Sequence, residues 1–322
     1  MLDKPAFPDS QLIAALNHHY PLAITGLTFL PLGADPNAAV YRAHTPTAAW
    51  FVKLRRAPLD PMTLHIPHFL HTHGLTAVIP PQPTTAGQLA ITFLDFNTML
   101  YPYVEGQDGF TAGLSPHNWH TLGHALRRMH TLTLPPELHT HLRRETYSDE
   151  GRRIIRHHLT RLDHPTADPV IAAMNDILRQ RHHLITECLD HTTHLARRLT
   201  AQPPPLVLCH ADLHAWNVLI DTQGELHIVD WDDTLLAPKE RDLMFIGAGI
   251  GGVWNTPQES AWFYAAYGDA PIHHAALAYY RHERILQDIA VTILELAQPH
   301  HSLDNRHQML AQLESQIGRA HV

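Results

Sequence analysis

The sequence has very few cysteines and no long apolar run. Only Cys188 and Cys209 occur among its 322 residues, too few for a disulfide framework and without the paired spacing of a zinc or redox motif. No stretch of about 18 uncharged apolar residues is present, and the first residues lack a basic segment leading into an apolar one. We therefore expect a cytoplasmic protein with neither a signal peptide nor a membrane span.

The chain also lacks an excess of positive charge. Lys and Arg total 23 against 31 Asp and Glu, which gives a formal net charge of −8, and no basic run is present. The electrostatic signature of a nucleic-acid-binding protein is therefore missing. Hydrophobic residues make up 44% of the chain, enough to predict a folded core. The acidic excess favours a small cationic ligand, and nothing indicates an obligate protein partner.

Thirty histidines raise the question of a zinc protein, but their arrangement argues against one. They are scattered, mostly beside arginines in polar segments. The pair His282 and Glu283 lacks the second histidine that a zinc-binding helix needs four positions after the first, where Leu286 stands. We interpret the histidines as a compositional bias.

The first third of the chain has strand character, and helical spacing dominates the rest. Apolar segments bounded by Gly, Pro or Asn predict strands at 22–32, 40–43, 50–54, 89–93 and 99–104. Helical periodicity covers 10–20, 60–69, 115–129, 169–200, 239–250, 258–267 and 274–297, with Pro67 expected to distort the second of these helices. A short strand-rich segment, 206–232, interrupts the helical part.

This pattern predicts an α+β fold with two lobes. We expect residues 1–101 to form the first lobe, an antiparallel sheet, and residues 102–322 to form the second, mainly helical lobe. Residues 317–322 match what sequencing-adapter DNA would encode, and we leave them out of the fold prediction as a non-native tail.

The strand-rich segment contains the spacing His210-x-Asp212-x-x-x-x-Asn217, followed by a predicted hairpin that ends at Asp230. This order is typical of a kinase catalytic loop. Asp212 is the candidate general base, Asn217 and Asp230 are candidate Mg²⁺ ligands, and ATP or GTP is the expected phosphate donor. His210 is expected to orient the loop. Taken singly, each residue is also common as a turn or capping residue.

The predicted hairpin brings the two candidate metal ligands together. If its turn centres on Gln223 and Gly224, Asn217 lies directly opposite Asp230. Directly opposed residues have Cβ atoms about 4.5–5.5 Å apart, close enough for both side chains to bind one cation. A shift of one residue in the strand register would remove this argument.

The nucleotide-binding candidates lie in the strand-rich lobe. Lys53, in an otherwise apolar strand, is the candidate phosphate ligand, and an edge-strand lysine that limits aggregation is the alternative. Asp35 and Asn37 lie where a phosphate-covering loop would lie, and an ordinary hairpin turn is the alternative. Tyr101 and Tyr103 lie on a segment whose backbone could meet adenine or form a core strand.

Acidic and aromatic residues just after Asp230 are candidate substrate ligands. Trp231, Asp232 and Asp233 follow it directly. Carboxylates attract a cationic ligand, and an indole face can cover its rings or its ammonium groups. We therefore predict a small cationic substrate at this place, with Asp232 as the strongest candidate ligand.

Several of these segments together resemble the aminoglycoside phosphotransferase family of the kinase-like fold. The similarity extends, within that family, to the spectinomycin phosphotransferases, and its segments are 33–35, 210–219, 230–232, 237–247 and 280–284. The resemblance implies an ATP- and Mg²⁺-dependent kinase that phosphorylates a hydroxyl of an aminocyclitol antibiotic, most directly spectinomycin, and so confers resistance.

One departure from the kinase pattern concerns Lys53. Kinases usually pair this lysine with a helix glutamate, whereas the next acids after Lys53 are Asp60 and Asp95, and Pro61 follows Asp60. The partner of Lys53 is therefore open.

Two other functions remain as alternatives. A metabolic kinase of the same fold would act on choline, homoserine or a sugar alcohol, and a silent nucleotide-binding module would have no need for the base Asp212.

Overall fold

The computed structural model describes residues 4–32, 37–56, 58–298 and 303–318. The candidate Asp35 lies outside these residues. The chain divides into two compact units, the first comprising 1–143, 208–235 and 249–270, the second 144–207, 236–248 and 271–322. An antiparallel sheet near the N-terminus and a largely helical C-terminal part confirm the predicted α+β fold.

A five-stranded antiparallel sheet forms the start of the first unit, with strand order β1-β2-β3-β5-β4. The strands are β1 Gly26–Leu30, β2 Ala38–His44, β3 Ala49–Arg55, β4 Ile91–Phe93 and β5 Phe96–Pro102. They overlap the five predicted strands and differ from them at the ends. Side chains alternate between the two faces of the sheet, so that neighbours in sequence have different surroundings.

The two faces of this sheet have different covers. Val52 and Leu54 pack into a buried cluster with Leu12 and Leu16 of helix α1 (Asp9–His19). Lys53, between them in sequence, pairs with Met99 across the β3–β5 ladder and faces the opposite side. There Met99 packs with Leu64 of helix α2 (Met62–Thr72) and with Leu89. The alternation therefore gives Lys53 a place on the α2 side of the sheet.

The remainder of the first unit combines short strands with helices. Its elements are β6 Gly106–Asp108, α3 Gly109–Ala112, α4 Pro116–Thr131, α5 Pro136–His141, β7 Val207–Cys209, β8 Val218–Asp221, β9 Leu226–Ile228 and α10 Pro257–Tyr267. Helix α4 begins with a capping box between Ser115 and Asn118. Strand β6, which the sequence does not predict, pairs with β8 and completes a three-stranded sheet with β9.

The second unit is mainly helical. Strand β10 (Leu235–Ala237) leads into it, and its helices are α6 Glu150–Leu159, α7 Pro169–Gln180, α8 His182–Ala201, α9 Glu240–Leu243, α11 His274–Leu296 and α12 Leu303–Gly318. The single helix predicted at 169–200 is two helices that meet at Arg181. The helix predicted at 239–250 is wrong beyond α9, since Gly247 and Gly249 adopt positive φ angles that end helical backbone.

A charged pair lies inside the second unit. The guanidinium of Arg152 bonds the carboxylate of Glu283, and each side chain is only 3% exposed. Arg152 also donates to the carbonyl oxygen of Tyr147 at 3.1 Å. Burial raises the pKa of Glu283 and the charge of Arg152 opposes that rise.

None of the helices in the described part of the chain has the length and hydrophobicity needed to cross a bilayer.

Removing one partner of the buried pair should be costly. We expect Glu283→Ala to lower the free energy of unfolding by about 3–5 kcal/mol, because it leaves the Arg152 charge buried without its carboxylate. Replacing both residues, as Arg152→Met with Glu283→Leu, should recover most of that loss. Urea unfolding measures both variants, and a loss below about 1 kcal/mol for Glu283→Ala would contradict this account.

Gly106 is predicted to be irreplaceable for steric reasons. A Cβ atom at this position would lie 2.0 Å from the carbonyl oxygen of Ile220 and 2.8 Å from the Cα of Asp221, both backbone atoms. Gly106→Ala should therefore destabilise the fold by at least about 1–3 kcal/mol. Gly26→Ala is the matched strand control, because its Cβ would meet nothing nearer than 4.0 Å. Equal thermal unfolding midpoints for the two variants would refute the prediction.

Candidate active site

The loop after strand β7 is held by a buried histidine. His210 is fully buried, and its Nδ1 accepts a hydrogen bond from the backbone N–H of Asp212 at 3.3 Å. Its Nε2 therefore carries the hydrogen and donates it to the carbonyl oxygen of Val229 at 2.9 Å. His210 thus ties the loop to the end of the hairpin, and the ring has no exposed atom with which to react.

Asp212 and Asn217 are in direct contact. The Asn217 amide nitrogen donates to the Asp212 carbonyl oxygen at 2.8 Å and lies 3.3 Å from its Oδ2. His214 places Nε2 3.3 Å from the same Oδ2. The Asp212 side chain nevertheless stays 23% exposed. Its carboxylate is fixed by neighbouring donors and remains accessible to a hydroxyl group from solvent or substrate.

The predicted register of the hairpin is wrong by one residue. Val218 pairs with Ile228, and Leu219 with His227, which places Asn217 opposite Val229 instead of Asp230. The turn has three residues rather than two: Gly224 has φ +87° and donates to the Asp221 carbonyl at 3.0 Å. A left-handed glycine after a type I turn is typical of three-residue hairpin loops. The directly opposed metal-ligand pair therefore does not form.

The hairpin still places Asp230 next to the pair that contains Asn217. Val229 donates its N–H to the Asn217 carbonyl oxygen at 3.1 Å, and Asp230 is the following residue. Asp230 has φ +64°, in the left-handed region that non-glycine residues seldom adopt. The chain thus turns sharply at Asp230, whose side chain is 48% exposed.

Lys53 bonds the carboxylates that follow the hairpin. Its Nζ lies 3.1 Å from Asp230 Oδ1 and 2.8 Å from Asp232 Oδ2, and its side chain is 16% exposed. Burial works against the lysine charge, but the carboxylates of Asp230 and Asp232 outweigh it and raise the pKa of Lys53 above its ordinary value. Lys53 is therefore a fixed cation beside the candidate metal ligand.

The three candidate substrate residues have separate surroundings. Asp232 contacts Lys53 and also Arg55, whose Nη1 lies 3.3 Å from Asp232 Oδ2. Trp231 is buried, with its ring 4.7 Å from that of His210, so it packs inside the unit. Asp233 is 59% exposed, and its Oδ1 lies 4.0 Å from Arg143. Of the three, Asp233 alone has a side chain that is largely exposed.

The remaining nucleotide candidates lie on or beside the sheet. Tyr101 shares the sheet face of Lys53, because it follows Met99 by two residues in β5. Burial raises the pKa of its hydroxyl above the ordinary value. The Tyr103 ring lies 4.5 Å from the Arg42 guanidinium carbon, and the Asn37 carbonyl accepts from the N–H of Arg56 at 3.0 Å. None of these contacts tests nucleotide binding, so the nucleotide-binding roles of Tyr101, Tyr103 and Asn37 stay predictions.

Two further residues, Arg55 and His214, contact the candidate site residues. Arg55 stands two positions after Lys53 in β3 and shares Asp232 with it. The period of two along a strand is the signal that could have identified it. His214 contacts the Asp212 carboxylate. In the sequence it stands out only as a member of the segment 210–219, which resembles the family. Nothing in its spacing alone indicates that contact.

Comparison with known proteins assigns the class. Residues 27–285 match the phosphotransferase enzyme family. The structure is similar to a crystal structure of spectinomycin phosphotransferase APH(9)-Ia in complex with ADP and spectinomycin, with a TM-score of 0.91 and 34% sequence identity over 99% of both chains. The chain therefore belongs to the aminoglycoside phosphotransferase family, as predicted, and is a small-molecule kinase.

More distant structures share the fold alone. Amicoumacin kinase hAmiN, solved with AMP-PNP, Ca²⁺ and Ami, has a TM-score of 0.64 at 18% identity, covering 97% of this chain and 93% of its own. Choline kinase LicA from Streptococcus pneumoniae has a TM-score of 0.61 at 16% identity, covering 96% and 98%. No curated protein sequence matches the chain.

Proposed function

We propose that this protein transfers the γ-phosphoryl group of ATP to a hydroxyl of an aminocyclitol antibiotic, with spectinomycin as the acceptor. The observation that carries the proposal is the accessible Asp212 carboxylate, held by Asn217 and His214. The contact between Lys53 and Asp230 adds a cation and a candidate metal ligand. The 34% identity to a spectinomycin phosphotransferase over nearly the whole of both chains supports the choice of acceptor.

Asp212 acts as the general base in this reaction. Its carboxylate accepts the proton of the acceptor hydroxyl while the hydroxyl oxygen forms a bond to the γ-phosphorus and the bond to ADP breaks. The products are the phosphate ester and ADP. The donors Asn217 and His214 hold the Asp212 carboxylate in one orientation. The substrate hydroxyl therefore meets a base whose side chain is already oriented.

Asn217 and Asp230 would hold Mg²⁺. The Asn217 nitrogen points at the Asp212 carbonyl, so its amide oxygen points away from Asp212, and Asp230 supplies an exposed carboxylate. Oxygen donors of these two kinds suit a hard cation. When bound, Mg²⁺ neutralises phosphate charge that the neighbouring carboxylates would otherwise repel.

Lys53 binds the phosphates from the sheet side. It is the cation that strand β3 presents on the face shared with Tyr101, and its raised pKa keeps it charged at neutral pH. A lysine acts on phosphate as a point charge with three donors. Lys53 therefore supplies attraction for the nucleotide, whereas Asp212 supplies the proton transfer.

The base assignment predicts a specific loss. Asp212→Asn keeps the size of the side chain and its contacts with Asn217 and His214, but an amide does not accept the hydroxyl proton. We expect kcat to fall at least about a hundredfold while nucleotide affinity, measured by isothermal titration calorimetry, stays within a few-fold. Asp176→Asn, which removes an exposed ion pair to Arg179, is the control. A variant with unchanged turnover would remove Asp212 from the mechanism.

The acceptor is tested with a panel under identical conditions. ATP and Mg²⁺ are supplied with spectinomycin, streptomycin, kanamycin or choline, and mass spectrometry detects the addition of one phosphate. Phosphorylated spectinomycin, formed when Mg²⁺ is present and not in EDTA, is the expected result. Turnover of choline with none of spectinomycin would favour the metabolic kinase, and no turnover of any compound would favour the silent binding module.

A further inference from the structure

We propose that Asp232 is the positioning residue that orients Lys53 toward the nucleotide phosphates, in place of a glutamate from the helix after strand β3. The inference rests on the nucleotide part of the proposed function and does not depend on the identity of the acceptor. It assigns Asp232 a different role from the substrate contact that its sequence neighbourhood suggests.

The helix after β3 offers no acid for this purpose. The sequence of α2, MTLHIPHFLHT, contains neither Asp nor Glu. Asp60, just before it, accepts from the N–H of Met62 at 2.9 Å and lies 3.6 Å from Arg143 Nε. Asp95 bonds Arg56 at 2.8 Å. Both acids that the sequence offers as partners of Lys53 are thus engaged with other groups.

Asp232 has the geometry of a partner. Its Oδ2 lies 2.8 Å from Lys53 Nζ, nearer than Asp230 at 3.1 Å, and the same oxygen reaches Arg55 at 3.3 Å. Its backbone is held as well, because Arg143 Nη2 donates to the Asp232 carbonyl oxygen at 2.9 Å. A lysine as enclosed as Lys53 requires a nearby negative charge to stay ionised.

Both acids contact Lys53 from the segment between strands β9 and β10. Asp230 and Asp232 are two residues apart, and the residue between them, Trp231, is buried against the ring of His210. The chain turns at Asp230, which has φ +64°, so the positions of the two carboxylates follow from this turn. Asp232 is held by the buried Trp231 before it and by the bond from Arg143 to its own carbonyl oxygen.

A second acid also resolves a conflict at Asp230. If Asp230 were the lone carboxylate beside Lys53, the ammonium would compete with Mg²⁺ for it, since both cations seek the same oxygens. Asp232 shares the ammonium and holds it at the nearer distance. Asp230 can then bind the metal ion while Lys53 keeps a carboxylate partner.

A double-mutant cycle tests the proposal. Isothermal titration calorimetry measures the affinity of full-length protein for AMP-PNP with Mg²⁺ and without any acceptor. We expect Asp232→Asn to weaken binding about ten- to a hundredfold. In a Lys53→Met background the same substitution should change affinity by less than about twofold, because the group that Asp232 orients is gone. Steady-state kinetics should show a raised KM for ATP and an unchanged KM for the acceptor.

Two further variants complete the design. Asp232→Glu keeps the charge and should retain affinity within a few-fold; it also tests the role if the asparagine variant fails to fold, which thermal unfolding reveals. Asp95→Asn, which removes an exposed acid paired with Arg56, should leave affinity unchanged.

The opposing outcomes are distinct. Equal losses of AMP-PNP affinity from Asp232→Asn in the unmodified protein and in the Lys53→Met background would overturn the positioning role. A raised KM for the acceptor with normal nucleotide affinity would instead indicate that Asp232 is a substrate ligand. This result would also reject the positioning role. Because the cycle contains no acceptor, strong coupling together with no spectinomycin turnover would support the positioning role and reject the proposed acceptor.

Discussion

The candidate site depends on Val229, whose backbone N–H and carbonyl oxygen both bond the loop after strand β7. Val229 donates its N–H to the Asn217 carbonyl and accepts on its own carbonyl from His210. These two bonds close the loop onto the end of the hairpin. Asp230 follows Val229 directly, so the same contacts that hold Asp212 and Asn217 also place the candidate metal ligand. Loss of these two bonds would separate Asp212 from the candidate metal ligand Asp230 without altering either side chain.

Charge determines what the site can bind. The carboxylates of Asp212, Asp230 and Asp232 stand against the cations Lys53 and Arg55, which leaves one formal negative charge among the five. A nucleoside triphosphate is itself a polyanion, and the site alone would repel it. A divalent cation reverses that sign, whereas a cationic acceptor is attracted by the same carboxylates. One acidic arrangement thus serves both proposed substrates, the nucleotide through a metal ion and the aminocyclitol directly.

Local patterns in the sequence indicate the candidate residues of the site, whereas the contacts between these residues depend on the fold. The fold class and the order Lys53, Asp212, Asn217, Asp230 follow from local patterns, and local patterns are what a sequence shows. The hairpin register was wrong because a single glycine, Gly224, suits a two-residue and a three-residue turn, which only the hydrogen bonds distinguish. Pairing of Lys53 with Asp232 joins residues 179 positions apart, and no periodicity indicates it. The boundary between lobes at residue 101 stays a prediction.

Backbone strain at the site has a physical reason in the same contacts. Ala211 and Asp230 both have positive φ angles, +72° and +64°, which cost about 1–2 kcal/mol for a non-glycine residue. Ala211 directly follows His210, which bonds the Val229 carbonyl oxygen, and Asp230 directly follows Val229. The hydrogen bonds of these two neighbours and the burial of His210 keep the chain in conformations that it would otherwise leave. The strain is therefore tolerated where two sharp turns are needed to orient Asp212 and Asp230. A relaxed backbone at Ala211 would direct the Asp212 carboxylate elsewhere, and a relaxed backbone at Asp230 would do the same to its own carboxylate.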